Sequence, residues 1–209
     1  MSLKLKIYIG VITTSAIALF IYLSPSLPSL SNIWLVVIFF LTISAFAEFI
    51  SVDLPVAGAV SIGFPIDFLI ILVYGPALAM LITTLSALIS ETIERKISWY
   101  KIIFNASQYG LSAGIAGIVY ERLGGEVGAI NLTNYIIPAT VCALMYYLVN
   151  SNLFIIVIHL SEKISLKHIW KTQLKGIIAT YIALAPIGFI MAMVYVSIGI
   201  WGIILFFFP

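Results

Sequence analysis

Charged side chains are scarce in this chain of 209 residues, since Asp, Glu, Lys and Arg together make up only 9% of it. A soluble globular domain carries roughly 25% charged residues, so the composition excludes a soluble domain with an ordinary water-facing surface. Hydrophobic residues make up 63% of the chain, in long apolar runs that short charged segments separate. These runs predict a polytopic, all-α transmembrane helix bundle that forms a single integral membrane domain over residues 1–209.

The chain also lacks the residues that build most metal and redox sites. Cys142 is the single cysteine, which excludes an internal disulfide and a multi-cysteine metal site. The two histidines, His159 and His168, fall at a predicted helix end and in a basic loop, so we expect no metal and no cofactor. No H-E-x-x-H, phosphate-loop or C-x-x-C motif is present. We therefore expect no catalytic activity of the chain's own.

The apolar runs predict seven or eight helical segments, because a span needs roughly 20 apolar residues. The third segment is short and ends at Gly75-Pro76, so we expect it to be tilted, buried among its neighbours or re-entrant. A retained first helix is favoured over a signal peptide, since "IYLSPSLPSL" lacks a cleavage pattern and more spans follow. The predicted segments cover about 5–24, 33–52, 60–74, 77–94, 101–121, 134–160 and 175–196, with an eighth starting near 199.

The basic residues fall in three clusters, and all three lie on one side of the membrane if the third segment spans it. Only Arg122 then lies on the opposite side. The bias of lysine and arginine toward the cytoplasm predicts a cytoplasmic N-terminus in the cell membrane. The clusters are Lys4 and Lys6, then Arg95, Lys96 and Lys101, then Lys163, Lys167, Lys171 and Lys175.

A faint internal similarity relates two predicted helix pairs. The segments around "ERKISWYK" and around "EKISLKHIWK" agree in order, in charge and in a tryptophan beside a lysine. Both pairs would run in the same direction, which indicates a parallel duplication. The alternative is that charged segments between spans simply resemble one another.

The stretch "YKIIFNASQYG" places amides inside the predicted helix 101–121. Asn105, Gln108 and Ser112 share one helix face. One interpretation is structural, because small residues allow close helix contact and amides bond across it. The other interpretation is a ligand site. An adjacent stripe contains the small residues Ala106, Gly110, Ala113, Gly114 and Gly117.

Three carboxylates also fall within predicted spans, at a depth similar to that of the amides. Intramembrane carboxylates are costly and usually face a bundle interior or a water-filled cavity. Glu91 could instead reach the interface near Arg95, and Asp67 could cap the third segment. Glu48 has no cation near it in the sequence. We predict a ligand-binding cavity formed by Glu48, Asp67, Asn105 and Gln108, with Asn150 and Asn152 as its floor.

The runs "AEFISVDLPVAGAVSIGFPIDFLIILVYGPALAM", "WYKIIFNASQYGLSAGIAGIVY" and "LAPIGFIMAMVY" together resemble a bacterial membrane module. That module precedes cytoplasmic HD-GYP phosphohydrolase or GGDEF cyclase domains in signalling proteins. The resemblance covers the chain from about residue 33 and implies a fragment that ends before an effector domain. A weaker similarity, in the short helix ending at Gly-Pro beside a small-residue helix, is to substrate-binding subunits of energy-coupling-factor vitamin transporters.

A sensory or ligand-binding input module is therefore the function that the sequence favours. The alternatives are a substrate-binding transport component and a purely structural anchor. We expect membrane lipid and an unidentified small molecule as partners, with a homodimer as a further expected assembly. The basic loops carry too little charge for nucleic acid.

Overall fold

The computed structural model describes residues 1–54, 58–94, 98–129 and 132–207. The all-α class is confirmed, and six helices in these ranges are long and apolar enough to cross a membrane. The predicted count of seven to eight segments is not confirmed. The helices are α1 (Leu3–Leu23), α2 (Leu30–Phe49), α3 (Phe64–Glu94), α4 (Trp99–Arg122), α5 (Leu132–Glu162), α6 (Leu166–Ile198) and α7 (Ile200–Phe207), with a 3-10 turn at Ser24–Ser26.

A small β-hairpin between α2 and α3 is the one departure from helix in this part of the chain. Strand β1 (Ser51–Leu54) pairs antiparallel with β2 (Gly58–Ser61), so that Ser51 lies opposite Ser61. The predicted helix 33–52 therefore extended past the end of α2, and the predicted helix 60–74 began before the start of α3. Polar and small residues interrupt the apolar run here, so the backbone pairs across the hairpin instead of within a helix.

The helix α3 is folded into two parts at Gly75, whose backbone is non-helical at φ 84° and ψ 176°. The first part, residues 64–74, is here called the half-helix. It runs alongside α6, because Gly188 lies against Pro65 while the Tyr195 hydroxyl bonds the Tyr74 hydroxyl at 2.6 Å. Eleven helical residues span about 16 Å, roughly half of a 30 Å hydrocarbon core. The half-helix therefore begins at mid-depth.

The second part of α3 runs in the opposite direction to α4. Gly110 faces Thr84, and Gly117 at the other end faces Pro76. The short connections 123–131 and 163–165 make α4, α5 and α6 alternate in direction. The half-helix runs parallel to α6, and α6 is parallel to α4, whereas the second part of α3 is antiparallel to α4. The half-helix and the second part of α3 therefore point in opposite directions. The short predicted third segment is thus buried among its neighbours and turns back at its end.

All residues of the half-helix except the last two, Val73 and Tyr74, are buried. Leu69, Ile70, Ile71 and Leu72 have no exposed surface at all. By contrast, apolar side chains on the outside of α1, α2, α5 and α6 are widely exposed, as expected of helices that face lipid. Examples are Ile7, Ile38, Ile137 and Ile182. The half-helix is the core around which the other helices pack.

All the described basic residues named here except Arg122 lie at one end of the bundle. α1 runs parallel to α4, since Tyr8 packs on Phe104 while the Ser107 hydroxyl donates to Thr13. The first residues of α1, α4 and α6 therefore lie at the same end of the bundle as the last residues of α5. Lys4, Lys6, Lys101, Lys163, Lys167 and Lys171 lie there and Arg122 lies at the far end, whereas Arg95 and Lys96 are outside the described residues.

Single-cysteine labelling should place Ser29 and Lys167 on opposite sides of the membrane. Ser29 lies in the turn between α1 and α2, whereas Lys167 lies at the start of α6, and both are exposed. Cys142 is fully buried and is replaced by alanine in the background. Labelling of Lys167→Cys only from the cytoplasm would also support the cytoplasmic N-terminus. Labelling of both positions by the same impermeant reagent would contradict this arrangement.

The two helix pairs of the predicted repeat do run in the same direction. The second part of α3 with α4, and α5 with α6, each form an antiparallel pair that begins at the far end. This direction agrees with a parallel duplication. The duplication itself stays a prediction.

Candidate functional site

The two side-chain amides of α4 bond to two different helices. The Asn105 side-chain amide donates to Glu91 Oε1 at 2.5 Å, and Gln108 donates to the Asn150 backbone carbonyl at 3.3 Å. Glu91 therefore lies inside the bundle against Asn105 and is not directed only to the interface. These contacts agree with the structural interpretation, because amides bond across closely packed helices.

Small residues on α4 allow the close packing that these bonds require. A Cβ at Gly110 would overlap the Thr84 hydroxyl, and one at Gly117 would lie 2.7 Å from Pro76 Cβ. Ser112 lies between them and is fully buried, with its hydroxyl donating to the Gln108 carbonyl within the same helix. The sequence Gly110–Gly114 matches G-x-S-x-G, but it lies in mid-helix and not on the strand-to-helix turn of a nucleophile elbow. It therefore serves packing.

Asp67 and Tyr146 form a buried pair at mid-depth. Asp67 is 3% exposed, Tyr146 is 1% exposed, and the Tyr146 hydroxyl donates to Asp67 Oδ2 at 2.7 Å. Asp67 lies in the first turn of the half-helix, where the helix dipole favours a carboxylate. Tyr146 lies near the middle of the 31-residue α5. The carboxylate is thus held inside the bundle by a bond from α5.

Glu48 and Asp67 are close enough to interact electrostatically. Glu48 is half-buried near the end of α2, which runs beside the half-helix with Phe40 packed on Tyr74. The ligand site predicted from these residues stays a prediction.

Tyr109 connects this pair to the amides of α4. It lies within electrostatic range of Glu48, Asp67, Glu91 and Tyr181. It is also one helical turn from Asn105, so the two share a face. The polar cluster, as we call it, therefore draws on five helices and consists of Glu48, Asp67, Glu91, Asn105, Gln108, Tyr109, Tyr146, Asn150 and Tyr181.

Asn150 and Asn152 do not share one surface. Asn150 meets Gln108 through its carbonyl, and its buried side-chain nitrogen has no hydrogen-bond partner among the described residues. Asn152 is exposed, and its amide donates to Leu148 of its own helix. Two residues two positions apart in a helix lie about 200° apart around its axis. The expectation that both form one floor was therefore wrong for Asn152.

Three tyrosines of the cluster were missed in the sequence. Tyr146 belongs to "MYY", which favours packing when taken alone, whereas Tyr109 and Tyr181 carried no motif. The available signal was helical spacing, since Tyr109 follows Asn105 by four residues and Tyr146 precedes Asn150 by four. Among the described residues no group of three or more His, Cys, Asp or Glu could hold a metal ion.

A lateral groove of about 720 Å³ lies between α5 and α6, with Phe68 of the half-helix at its base. Its lining is almost wholly apolar. Tyr181 belongs both to the groove and to the polar cluster, and its ring packs against Phe64 at 4.5 Å and Tyr146 at 6.1 Å. The groove and the cluster therefore share a wall.

The fold and the cluster define a polytopic helical membrane protein with a polar centre and no described catalytic constellation. Residues 18–209 match the model of the MASE9 family, a family of membrane-associated sensor domains. Because the match covers most of the chain, the chain belongs to this family. It matches no curated protein and no solved structure.

Proposed function

We propose that this membrane-associated sensor module binds a small ligand within its helices and has no catalytic activity of its own. The observation that supports this most is the polar cluster, to which five helices contribute carboxylates, amides and tyrosines inside the bundle. Such groups are costly in a bilayer and are usually retained at functional positions.

The signal would arise as a shift between two helix packings. A ligand that binds one packing more tightly increases the population of that packing. α6 is the element best placed to carry the change, since it contributes Tyr181 to the cluster and Tyr195 to the bond with Tyr74. Its end at Gly199 leads directly into α7. An effector of the GGDEF or HD-GYP type would then respond to α7.

Asn105→Leu should change the output of the sensor about tenfold while leaving the bundle folded. The substitution removes a hydrogen bond to a carboxylate, and such a bond contributes about 1.5–3 kcal/mol. The measurement is cyclic dinucleotide synthesis by the chain fused through α7 to a GGDEF cyclase domain, normalised to the amount of folded protein. Glu48→Leu should act in the same direction, because it alters the same cluster.

Asn152→Leu is the matched control, since it replaces the same residue type on the outer surface of α5. It should leave output and thermal unfolding unchanged. A structural anchor predicts a different result, in which Asn105→Leu lowers the melting temperature but leaves output per folded molecule as in the wild type. Ligand uptake that requires a partner ATPase, with no change in cyclase output, would favour the transport alternative.

A further inference from the structure

Exposed tryptophans mark the two membrane interfaces of the bundle. Trp99 and Trp170 lie near the starts of α4 and α6, at the end of the bundle that carries the lysines, and are 70% and 43% exposed. Trp34 and Trp201 lie near the starts of α2 and α7, at the far end, and are 54% and 74% exposed. Because indole rings favour the headgroup level of a bilayer, each pair fixes the depth of one interface.

The lysines near Trp99 and Trp170 lie at the depth of one headgroup layer. On α4, Lys101 follows Trp99 by two residues. On α6, Lys167 and Lys171 stand on either side of Trp170 in the sequence. All three side chains are exposed, and a lysine at a helix end extends its ammonium group toward the interface. The ammonium groups can therefore reach lipid phosphates.

The exposed lysines of this end form one surface, here called the lysine surface. The lysines of α1 precede Tyr8, whose ring packs on Phe104 of α4 and whose hydroxyl donates to the Leu153 carbonyl of α5 at 3.0 Å. α1, α4 and α5 therefore adjoin here, and the short turn 163–165 joins α5 to α6. The lysine surface consists of Lys4, Lys6, Lys101, Lys163, Lys167 and Lys171.

The positive charge of the lysine surface is not neutralised within the described part of the protein. None of these lysines forms an ion pair with a described residue. Glu162 is the only exposed carboxylate among the side chains described at this end. Glu91 bonds Asn105 inside the bundle and lies away from the surface. A cationic surface at the headgroup level attracts phospholipids that carry a net negative charge.

We propose that the lysine surface binds anionic phospholipid of the phosphatidylglycerol type. The ammonium groups of α1, α4 and α6 contact the lipid phosphates, and the rings of Trp99 and Trp170 lie beside the glycerol groups. Arg122 is the only lysine or arginine described at the far end, so the preference for anionic lipid is confined to one leaflet. This binding is independent of the ligand proposed for the polar cluster.

The test is quenching of tryptophan fluorescence by brominated lipids, with the whole chain in vesicles of phosphatidylcholine mixed with phosphatidylglycerol. A lysine-end reporter carries Trp34→Phe and Trp201→Phe, whereas a far-end reporter carries Trp99→Phe and Trp170→Phe. In the lysine-end reporter, brominated phosphatidylglycerol should bind about fivefold better than brominated phosphatidylcholine, the factor expected when one lysine contacts the lipid. The far-end reporter should show no preference.

Lys101→Gln in the lysine-end reporter should lower this preference about twofold, and adding Lys171→Gln should remove most of it. Raised salt should also reduce it, because salt screens exposed charges. Arg122→Gln is the matched control, since it removes one positive charge from the opposite end of the same helix α4. It should leave the preference unchanged.

Equal quenching by the two lipids in the lysine-end reporter would overturn the proposal. A preference of the same size in both reporters would overturn the assignment to one end of the bundle. A preference that survives Lys101→Gln with Lys171→Gln, in a variant with wild-type thermal unfolding, would overturn the assignment to the lysine surface. Retention on immobilised polyphosphate through the same lysines, without any lipid preference, would assign the surface to a soluble polyanion instead.

Discussion

Gly117→Leu should prevent most of the protein from folding. A Cβ at this position would lie 2.7 Å from Pro76 Cβ and 2.8 Å from Pro76 Cα. Pro76 is the first residue after the break in α3, so its backbone cannot move without displacing the second part of α3. Overpacking of this kind typically costs about 1–3 kcal/mol, and leucine adds three more carbon atoms beyond Cβ. We expect a loss of about 3 kcal/mol or more in the free energy of unfolding.

The measurement is reversible unfolding in mixed detergent micelles. Gly10→Leu is the matched control, because Gly10 lies on the exposed face of α1 with no atom within 4 Å of an added Cβ. It should unfold as the wild type does. If Gly117→Leu and Gly10→Leu were equally stable, α4 could not be packed on Pro76 as described.

Gly75→Ala should be the second most damaging of these changes, for a different reason. An added Cβ would meet only ordinary contacts, the nearest being Val127 at 3.5 Å. The cost is conformational, because φ 84° with ψ 176° is a region that is essentially restricted to glycine. Such strain costs about 1–3 kcal/mol. The reversal of α3 should therefore be weakened even though no atoms collide.

The same unfolding measurement applies, with Gly10→Ala as the control, since Gly10 is helical and exposed. Gly75→Ala should lower the free energy of unfolding and Gly10→Ala should not. A wild-type value for Gly75→Ala would mean that α3 continues through residue 75 as an ordinary helix.

Much of the fold was predictable because apolar length and helix breakers act locally. The spans, the break at Gly75-Pro76 and the polar face of α4 all follow from residues close in sequence. The reversal of α3 could not be predicted from residues close in sequence. It depends on the close packing of Gly188 against the half-helix and of Gly117 against the second part of α3. The β-hairpin was missed because the apolar residues on either side of it extended the two predicted helices to residue 52 and from residue 60.

The candidate site was predictable where the energetic cost of burying a polar group in the bilayer marks a residue as unusual. Buried carboxylates and amides are expensive in a bilayer, so Glu48, Asp67 and Asn105 were recognisable by type. Their bonding partners were not, because Tyr146 is ordinary in an apolar helix until Asp67 is placed beside it. Asn152 failed for a geometric reason, since the helical period turns it away from Asn150.

The mid-depth start of the half-helix places Asp67 and Glu48 about halfway through the electric field of a polarised membrane. Moving one elementary charge through the whole field changes its energy by about 2.3 kcal/mol per 100 mV. A cation or proton that reaches this pair from either side crosses about half of it, so its binding shifts by about 1 kcal/mol per 100 mV. Any step that changes the charge of the carboxylate pair therefore has a free energy that depends on membrane voltage.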